Sequence, residues 1–183
     1  MLRSTLITAA VVLVVGCSPP VDTGSASAQD RQAILAVIHD GMVAERTAFI
    51  PTPAVCPGPV PASVREQLLS QIPIRLGAYF TSPQLEKEIG IGTGVVNEPT
   101  NGAACLYGAG VDWVRMDRVS TSGASAVAAG QIRIWASLAQ WHASGPSMAE
   151  PHGTLDVNFD LRRVGGKWLI SHYDWRFAPG SEP

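Results

Sequence analysis

The chain has 183 residues, with 13 Lys and Arg against 15 Asp and Glu, and a formal net charge of −2 at pH 7. This balance, without any cluster of basic residues, excludes nucleic acid as an expected partner. Residues 1–29 form an apolar leader and a polar segment. The remaining stretch of about 150 residues is enough for one domain with a hydrophobic core and too short for two.

Residues 1–17 have the features of a bacterial lipoprotein signal peptide. Arg3 provides the positive start, and the apolar run at 6–15 is shorter than the about 20 residues that span a bilayer. The sequence VVGC at 14–17 resembles a lipobox. This resemblance implies that Cys17 is lipidated, with acyl chains such as palmitate, and becomes the mature amino terminus.

An anchor of this kind determines the expected location. Each buried CH₂ contributes about 0.8 kcal/mol, so two or three acyl chains hold a protein on a membrane. We expect an extracytoplasmic protein on the cell membrane or the outer membrane. Residues 18–29 are small and polar without an apolar period, which is typical of a flexible tether with a reach of about 20 Å.

The two remaining cysteines form a disulfide candidate. In an extracytoplasmic compartment a lone pair of cysteines, here Cys56 and Cys105, favours a bridge. The alternative is two free buried thiols. Neither cysteine has the spacing of redox or zinc motifs, and the histidines match no metal motif, so we predict neither a metal nor a cofactor.

The first predicted helix runs from about Asp30 to Ile50, with Ser27 or Asp30 as its cap. Its apolar stripe consists of Ile34, Ile38, Met42 and Phe49. Glu45 lies on this stripe, which leaves two interpretations. The carboxylate either reaches the solvent edge or an arginine, or it points into a cavity, where its pKa would be raised.

Two shorter helices are predicted next. Ser63 and Glu66 have the spacing of a capping box at the start of the second helix. Ser82 and Pro83 are typical of the start of a third, and Gly90 is predicted to end it. Strands are predicted at 111–121 and 124–141, then a loop at 143–153 and a closing hairpin at 155–177.

The turn of this hairpin, Gly-Gly at 165–166, leaves two registers open. A two-residue loop, which the Gly-Gly pair favours, places Phe159 opposite His172 and Val157 opposite Asp174. His172 and Asp174 then lie on the apolar face, as a binding pocket would require.

A loop of three residues reverses this arrangement. A shift of one residue moves every side chain to the other face. His172 and Asp174 would then face solvent, and the apolar face would continue through Tyr173 and Trp175.

Helices followed by antiparallel strands predict an α+β fold. Two segments are informative here, VDWVRMDRVSTSGASAVAAGQIRIW and VNFDLRRVGGKWLISHYDW. The second contains a Gly-x-Trp-x-Ile run at Gly166, Trp168 and Ile170. Together they resemble the nuclear transport factor 2-like superfamily, which includes SnoaL and ketosteroid-isomerase types. The resemblance covers about 30–177. It implies a cystatin-like cone in which a curved, mostly antiparallel sheet of four to five strands wraps around the amino-terminal helices, with the domain at 30–178 and a tail at 179–183.

Members of this superfamily are enzymes, small-molecule binders or dimerising modules, so the fold does not decide the function. The aspartate, tyrosine and protonated acid of the isomerases cannot be placed on this sequence residue by residue. Five tryptophans form either core or a pocket for an apolar ligand. The candidate pocket residues are Glu45, Trp113, Trp135, Trp168, His172 and Asp174.

Three hypotheses follow. The first is a non-catalytic lipoprotein whose cone binds a small apolar ligand or a partner protein of the cell envelope. The second is a SnoaL-like enzyme of the isomerase, cyclase or dehydratase type, acting on a hydrophobic substrate with His172, Asp174 or Glu45 as acid or base. The third is a structural homodimer formed through the outer sheet face. Convergence of those three side chains in one pocket would favour the enzyme, and exposure of His172 and Asp174 counts against it.

Overall fold

The computed structural model describes residues 24–51, 60–98 and 104–182. The chain is an α+β protein, as predicted, with three helices on one face of a curved antiparallel sheet. The helices are α1 (Ala28–Thr47), α2 (Ala62–Gly77) and α3 (Gln84–Asn97). The strands are β1 (Gly24–Ser25), β2 (Ala104–Ser122), β3 (Ser125–His142), β4 (Gly145–Ala149), β5 (His152–Val164) and β6 (Lys167–Phe177).

The sheet has the strand order β1-β2-β3-β5-β6. β3 pairs with β2 on one side, and on the other with β5 and, at its end, with β4. The two short strands were not predicted. β4 occupies the predicted loop at 143–153, and β1 pairs Gly24 with Thr121, which makes the tether shorter at its carboxyl end than predicted.

The curvature of the sheet has identifiable causes. The pairing of β2 with β3 shifts register at three places, the last of them between Met116 and Arg118, and each such bulge bends the strand. Gly130 of β3 lies opposite this last bulge, where a Cβ atom would be 2.1 Å from the Arg115 carbonyl oxygen. Only glycine permits so close an approach of the two backbones.

The start of α1 agrees with the sequence prediction, whereas the start of α2 does not. Ser27 caps α1, because its hydroxyl accepts a hydrogen bond of 3.0 Å from the Asp30 amide. α2 begins directly after Pro61, without a side-chain cap, so Ser63 lies inside its first turn. The predicted capping box at Ser63 is therefore wrong.

α3 does not end at Gly90, as was predicted, but continues to Asn97. The reason is tertiary packing against α2. Gly92 is buried against Ile72, whose side chain would make an ordinary contact of 3.4 Å with a Cβ atom at this position. Packing of this kind overrides the low intrinsic helix propensity of glycine.

The core lies between the helices and the inner face of the sheet, which we define as the face that contacts α1. α1 contributes Ile34, Ile38 and Met42, and α2 contributes Leu68, Ile72 and Leu76. The sheet contributes Met116, Val119, Ile132, Leu155, Val157, Phe159, Leu161, Ile170 and Tyr173. The segment after α2 covers the edge of β6, because Phe80 forms a bridge with Ile170.

The turn between β5 and β6 is the predicted two-residue loop. Val164 pairs with Lys167, and Leu161 pairs with Ile170. The glycines at 165–166 have φ angles of 57° and 81°, a region that glycine enters at little cost. The predicted register is confirmed for this end of the hairpin.

Farther along β6, a β-bulge at Ser171 changes the register. Ser171 is an extra residue without a partner in the ladder. Its buried hydroxyl donates a hydrogen bond of 3.1 Å to the Asp160 carbonyl oxygen. As a result, Tyr173 rather than His172 lies opposite Phe159.

The predicted position of His172 and Asp174 on the apolar face is therefore wrong. His172 pairs with Asp160 and Asp174 pairs with Asn158, and all four residues are exposed. Side chains alternate along a strand, so one extra residue moves all later side chains to the opposite face. Tyr173 takes the inner position instead.

Candidate ligand site

A cavity of about 270 Å³ lies between the end of α1 and the inner face of the sheet. Its wall is largely apolar. The residues that border it are Met42, Glu45, Arg46, Ile134, Trp135, Ala136, Pro151, Gly153, Leu155, Tyr173, Trp175 and Phe177. Cavities of this kind, with a few polar groups among apolar ones, are typical of small-molecule sites.

The spacing of α1 brings two charged side chains to this cavity. Ile38 and Met42 are buried one helical turn apart, and Glu45 follows three residues later on the same side. The last turn of α1 thus places Glu45 and Arg46 beside the cavity while the earlier turns pack in the core.

Burial raises the pKa of Glu45 to about 7. Desolvation by burial is the largest cause, and the nearby carboxylate of Glu88 adds to it, whereas Arg46 and Lys87 oppose the shift. Glu45 thus lies beside the cavity with a raised pKa. This agrees with the interpretation that its carboxylate points into a cavity rather than to the solvent edge.

Arg46 is held by a backbone group of the sheet. Its Nη2 donates a hydrogen bond of 3.2 Å to the Trp135 carbonyl oxygen. Burial lowers its pKa, and the carboxylate of Glu45 opposes this shift. A guanidinium remains protonated under such conditions, so the cavity has a permanent cation at its wall.

Two residues that border this cavity each have a buried polar atom without a partner. Within the part of the chain that the structure describes, the buried side-chain atoms without a hydrogen-bond partner are Glu45 Oε2 and Arg46 Nε. Buried polar groups are rarely left unpaired in proteins because each costs about 1–3 kcal/mol. Their occurrence on adjacent residues beside one cavity indicates a site prepared for a polar group.

A second group of polar side chains lies behind Glu45. Glu88 and Gln84 of α3 are both 2% exposed, and Gln84 Nε2 donates a hydrogen bond of 2.6 Å to Glu88 Oε1. Burial raises the pKa of Tyr173 far above its usual range, with the charges of Glu45 and Glu88 adding to the shift. Tyr173 therefore stays protonated and able to donate.

The tryptophans predicted for the pocket lie in three different places. The Trp135 indole packs over Gly108 and Gly110, on the face opposite to the adjacent Ile134, so its backbone is what faces α1. Trp113 pairs with the exposed Arg133 on that same outer face. Neither indole lies on the inner face of the sheet.

Trp168 lies at the opposite end of α1 from Glu45. Its Nε1 donates a hydrogen bond of 3.0 Å to Asp30 Oδ1, and the Arg163 guanidinium stacks 4.4 Å from its ring. Asp30 and Glu45 are 15 positions apart in the helix, so about 22 Å separates them along its axis. Trp168 therefore belongs to the core and to the start of α1.

His172 and Asp174 form an exposed pair with 3.1 Å between His172 Nε2 and Asp174 Oδ2. Asp174 borders a more polar groove of about 600 Å³, which also includes Asp117 and Asp156. Exposed pairs of this kind contribute little to stability. Among the described residues, no group of three or more His, Cys, Asp and Glu side chains could hold a metal ion.

Sequence reasoning missed Arg46, Tyr173 and Trp175 as cavity residues. A signal for the last two exists, because the apolar alternation changes phase after Ile170 and resumes at Tyr173. Two phases within one strand indicate a bulge, whereas each of the two predicted registers keeps a single phase along the whole strand. No hydrophobic pattern marks Arg46.

The predictions for the three cysteines stay predictions. Cys17 and Cys56 lie outside the described residues, as does the side chain of Cys105. Within residues 24–51, 60–98 and 104–182, none of the helices is both long and apolar enough to span a bilayer.

Comparison with known proteins gives a likeness of fold. No known protein-family profile matches the sequence, and no curated protein matches it either. Among solved structures, the chain is similar to the intermembrane space region of the chloroplast protein ARC6, with a TM-score of 0.53 and 11% identity over 85% of this chain and 100% of that one.

Two other solved structures align with lower scores. One is a protein of unknown function with a cystatin-like fold from Nostoc punctiforme, with a TM-score of 0.48 and 10% identity over 86% of this chain and 97% of that one. The other is an IcmL-like type IV secretion system protein from Legionella pneumophila, with a TM-score of 0.46 and 10% identity over 87% and 98%. At such identities the likeness concerns the fold alone. The chain is an α+β protein with three helices on one face of a curved antiparallel sheet.

Proposed function

We propose that the protein is a lipid-anchored extracytoplasmic binder of small apolar molecules, and that the cavity at the end of α1 is its binding site. The observation that carries the proposal is the combination of an apolar wall with two buried, unpaired polar atoms, Glu45 Oε2 and Arg46 Nε. A ligand that pairs these atoms would offset the cost of leaving them unpaired.

The size of the cavity supports a small ligand. About 270 Å³ lies just below the range of about 300–1,000 Å³ that is common for sites of drug-sized molecules. Trp175 and Phe177, whose rings meet edge to face at 5.6 Å, supply an aromatic wall on which an apolar body can pack.

The anchor is the second part of the proposal. Lipidation of Cys17 rests on the sequence VVGC and on the apolar run before it. It would hold the cone on the extracytoplasmic side of a membrane, where apolar molecules concentrate. The cavity would then exchange its ligand with the membrane surface or with the surrounding compartment.

The positions of the acid and base candidates favour binding over catalysis. Of Glu45, His172 and Asp174, Glu45 borders the cavity, whereas the other two lie on the exposed face of β6. The three side chains therefore do not converge, which counts against an enzyme that uses them together.

Calorimetric titration with 3-phenylpropan-1-ol, a neutral aromatic probe, tests the proposal. The titration uses the mature lipidated chain in lipid nanodiscs, with empty nanodiscs as the blank. We expect saturable binding of one probe per chain. Ala136→Leu, which fills part of the cavity from β3, should weaken this binding at least tenfold.

Ala129→Leu is the matched control. Ala129 lies in the same strand but pairs with Arg118 and Asn158 on the outer face, so this substitution should leave the affinity unchanged. Absence of saturable binding, or an equal loss in both variants, would contradict a binding site in the cavity.

A further inference from the structure

We propose that the cavity selects ligands that carry a carboxyl group on a small apolar body, and that Arg46 and Glu45 bind this group together by sharing one proton with it. The inference rests on the proposed function and specifies its ligand class. It begins from the two unpaired atoms of the residues that border the cavity, one of which belongs to a permanent donor and the other to a carboxyl group.

Arg46 requires an acceptor. Its Nη2 is already bound to the Trp135 carbonyl oxygen, and its Nε–H is buried without a partner. The ligand group that pairs with Nε must therefore accept a hydrogen bond, and a negatively charged oxygen forms the stronger bond with a guanidinium. An ammonium group cannot accept, and Arg46 would also repel it.

Glu45 specifies the second contact. Its unpaired Oε2 belongs to a carboxyl group whose pKa burial raises to about 7, so this group is protonated or nearly so at neutral pH. A ligand carboxylate has two oxygen atoms, one for Arg46 Nε and one for the proton of Glu45. An alcohol has a single oxygen atom to divide between these two positions.

The charged groups around Glu45 are consistent with one shared proton. α3 contributes Glu88, which disfavours ionisation of Glu45, and Lys87, which favours it; α1 contributes Arg46, and β6 contributes the protonated Tyr173. A ligand anion beside Glu45 adds negative charge and favours its protonated form further. Binding of a carboxylate above pH 7 therefore takes up one proton.

A matched series of probes tests the inference in the same nanodisc preparation. The probes are 3-phenylpropanoate, 3-phenylpropan-1-ol and 3-phenylpropylamine, which share one apolar body. At pH 6 we expect the carboxylate to bind at least tenfold more tightly than the alcohol or the amine. Between pH 7.5 and 9 its affinity should fall by about tenfold per pH unit, while that of the alcohol stays constant.

Two variants locate the effect. Glu45→Gln cannot ionise but keeps a donor, so its carboxylate affinity should become independent of pH, whereas Glu66→Gln, which changes an exposed acid on α2, should keep the wild-type profile. Arg46→Lys, which lacks an Nε–H, should weaken carboxylate binding more than alcohol binding. If Glu45→Gln does not fold, the wild-type pH profiles of the three probes decide.

The outcomes separate this inference from the proposed function. If the alcohol binds in the cavity as tightly as the carboxylate at pH 6, or if carboxylate binding does not weaken above pH 7, the carboxyl selectivity is refuted and the binding site remains. If none of the three probes binds, both are refuted.

Discussion

Glu45 makes the stability of this protein depend on pH in an unusual direction. Its pKa is about 7 in the folded chain, against 4.5 for a glutamate side chain in water. Between these values the folded state binds more protons than the unfolded state, so the free energy of unfolding falls as pH rises from about 4.5 to 7 and levels off above. A shift of this size corresponds to at most about 3 kcal/mol.

Glu45→Gln removes this dependence. We expect the unfolding free energy of the variant, relative to wild type, to increase by up to about 3 kcal/mol between pH 5 and pH 8. Urea denaturation at both pH values measures it, and Glu66→Gln serves as an exposed control on α2. Parallel pH profiles for Glu45→Gln and wild type would show that Glu45 titrates normally.

At the scale of the elements, the bulge at Ser171 determines which side chains of β6 meet the cavity. Before it, Trp168 and Ile170 are buried; after it, Tyr173 is buried and His172 is exposed. Because of the extra residue, the side chains after it point to the opposite face from the one they would take in a regular strand, so aromatic residues reach the inner face along both halves of β6. If Ser171 instead took a regular place in the ladder, His172 and Asp174 would point into the core.

Deletion of Ser171 tests the role of the bulge. Without this residue β6 becomes a regular strand that keeps its pairs, Phe159 with Tyr173 and Asn158 with Asp174, so we expect the deletion variant to retain cooperative unfolding. Ser171→Ala removes only the hydroxyl that donates to Asp160 and should cost about 1 kcal/mol. Circular dichroism during thermal unfolding compares the two, and loss of cooperative unfolding in the deletion variant alone would refute the register argument.

The elements differ in how far their sequence predicts them. α1, β3 and the two-residue turn follow from local signals: Ser27 as a cap, apolar alternation and a Gly-Gly pair. The continuation of α3 past Gly90 and the pairing of β1 depend on contacts with residues distant in sequence. Such contacts leave no periodic signal, which is why they were not predicted.

The same distinction applies to the cavity. Glu45 was identified because a charged residue interrupts an apolar stripe, which is a local signal. Glu88 and Gln84 were not, because a buried hydrogen-bonded pair has the same sequence pattern as an exposed helix face. Trp113 and Trp135 were assigned to the pocket by residue type, whereas strand parity places their indoles on the other face.

At the scale of the whole molecule, the proposed lipid anchor and the folded domain have separate roles. Cys17→Ser should release the protein from membranes into the soluble envelope fraction, because acyl chains supply the membrane affinity. Fractionation of cells followed by detection of the chain measures this, with Ser18→Ala as the neighbouring control. Retention of Cys17→Ser on the membrane would contradict lipidation.

A crystal structure of the protein grown with 3-phenylpropanoate at pH 6 tests directly whether Arg46 and Glu45 bind a carboxylate in the cavity. We expect the probe in the cavity, with its carboxylate within hydrogen-bonding distance of Arg46 Nε and Glu45 Oε2 and its ring against Trp175 and Phe177. A probe bound elsewhere, or an empty cavity at a concentration that saturates the chain in calorimetry, would contradict this expectation.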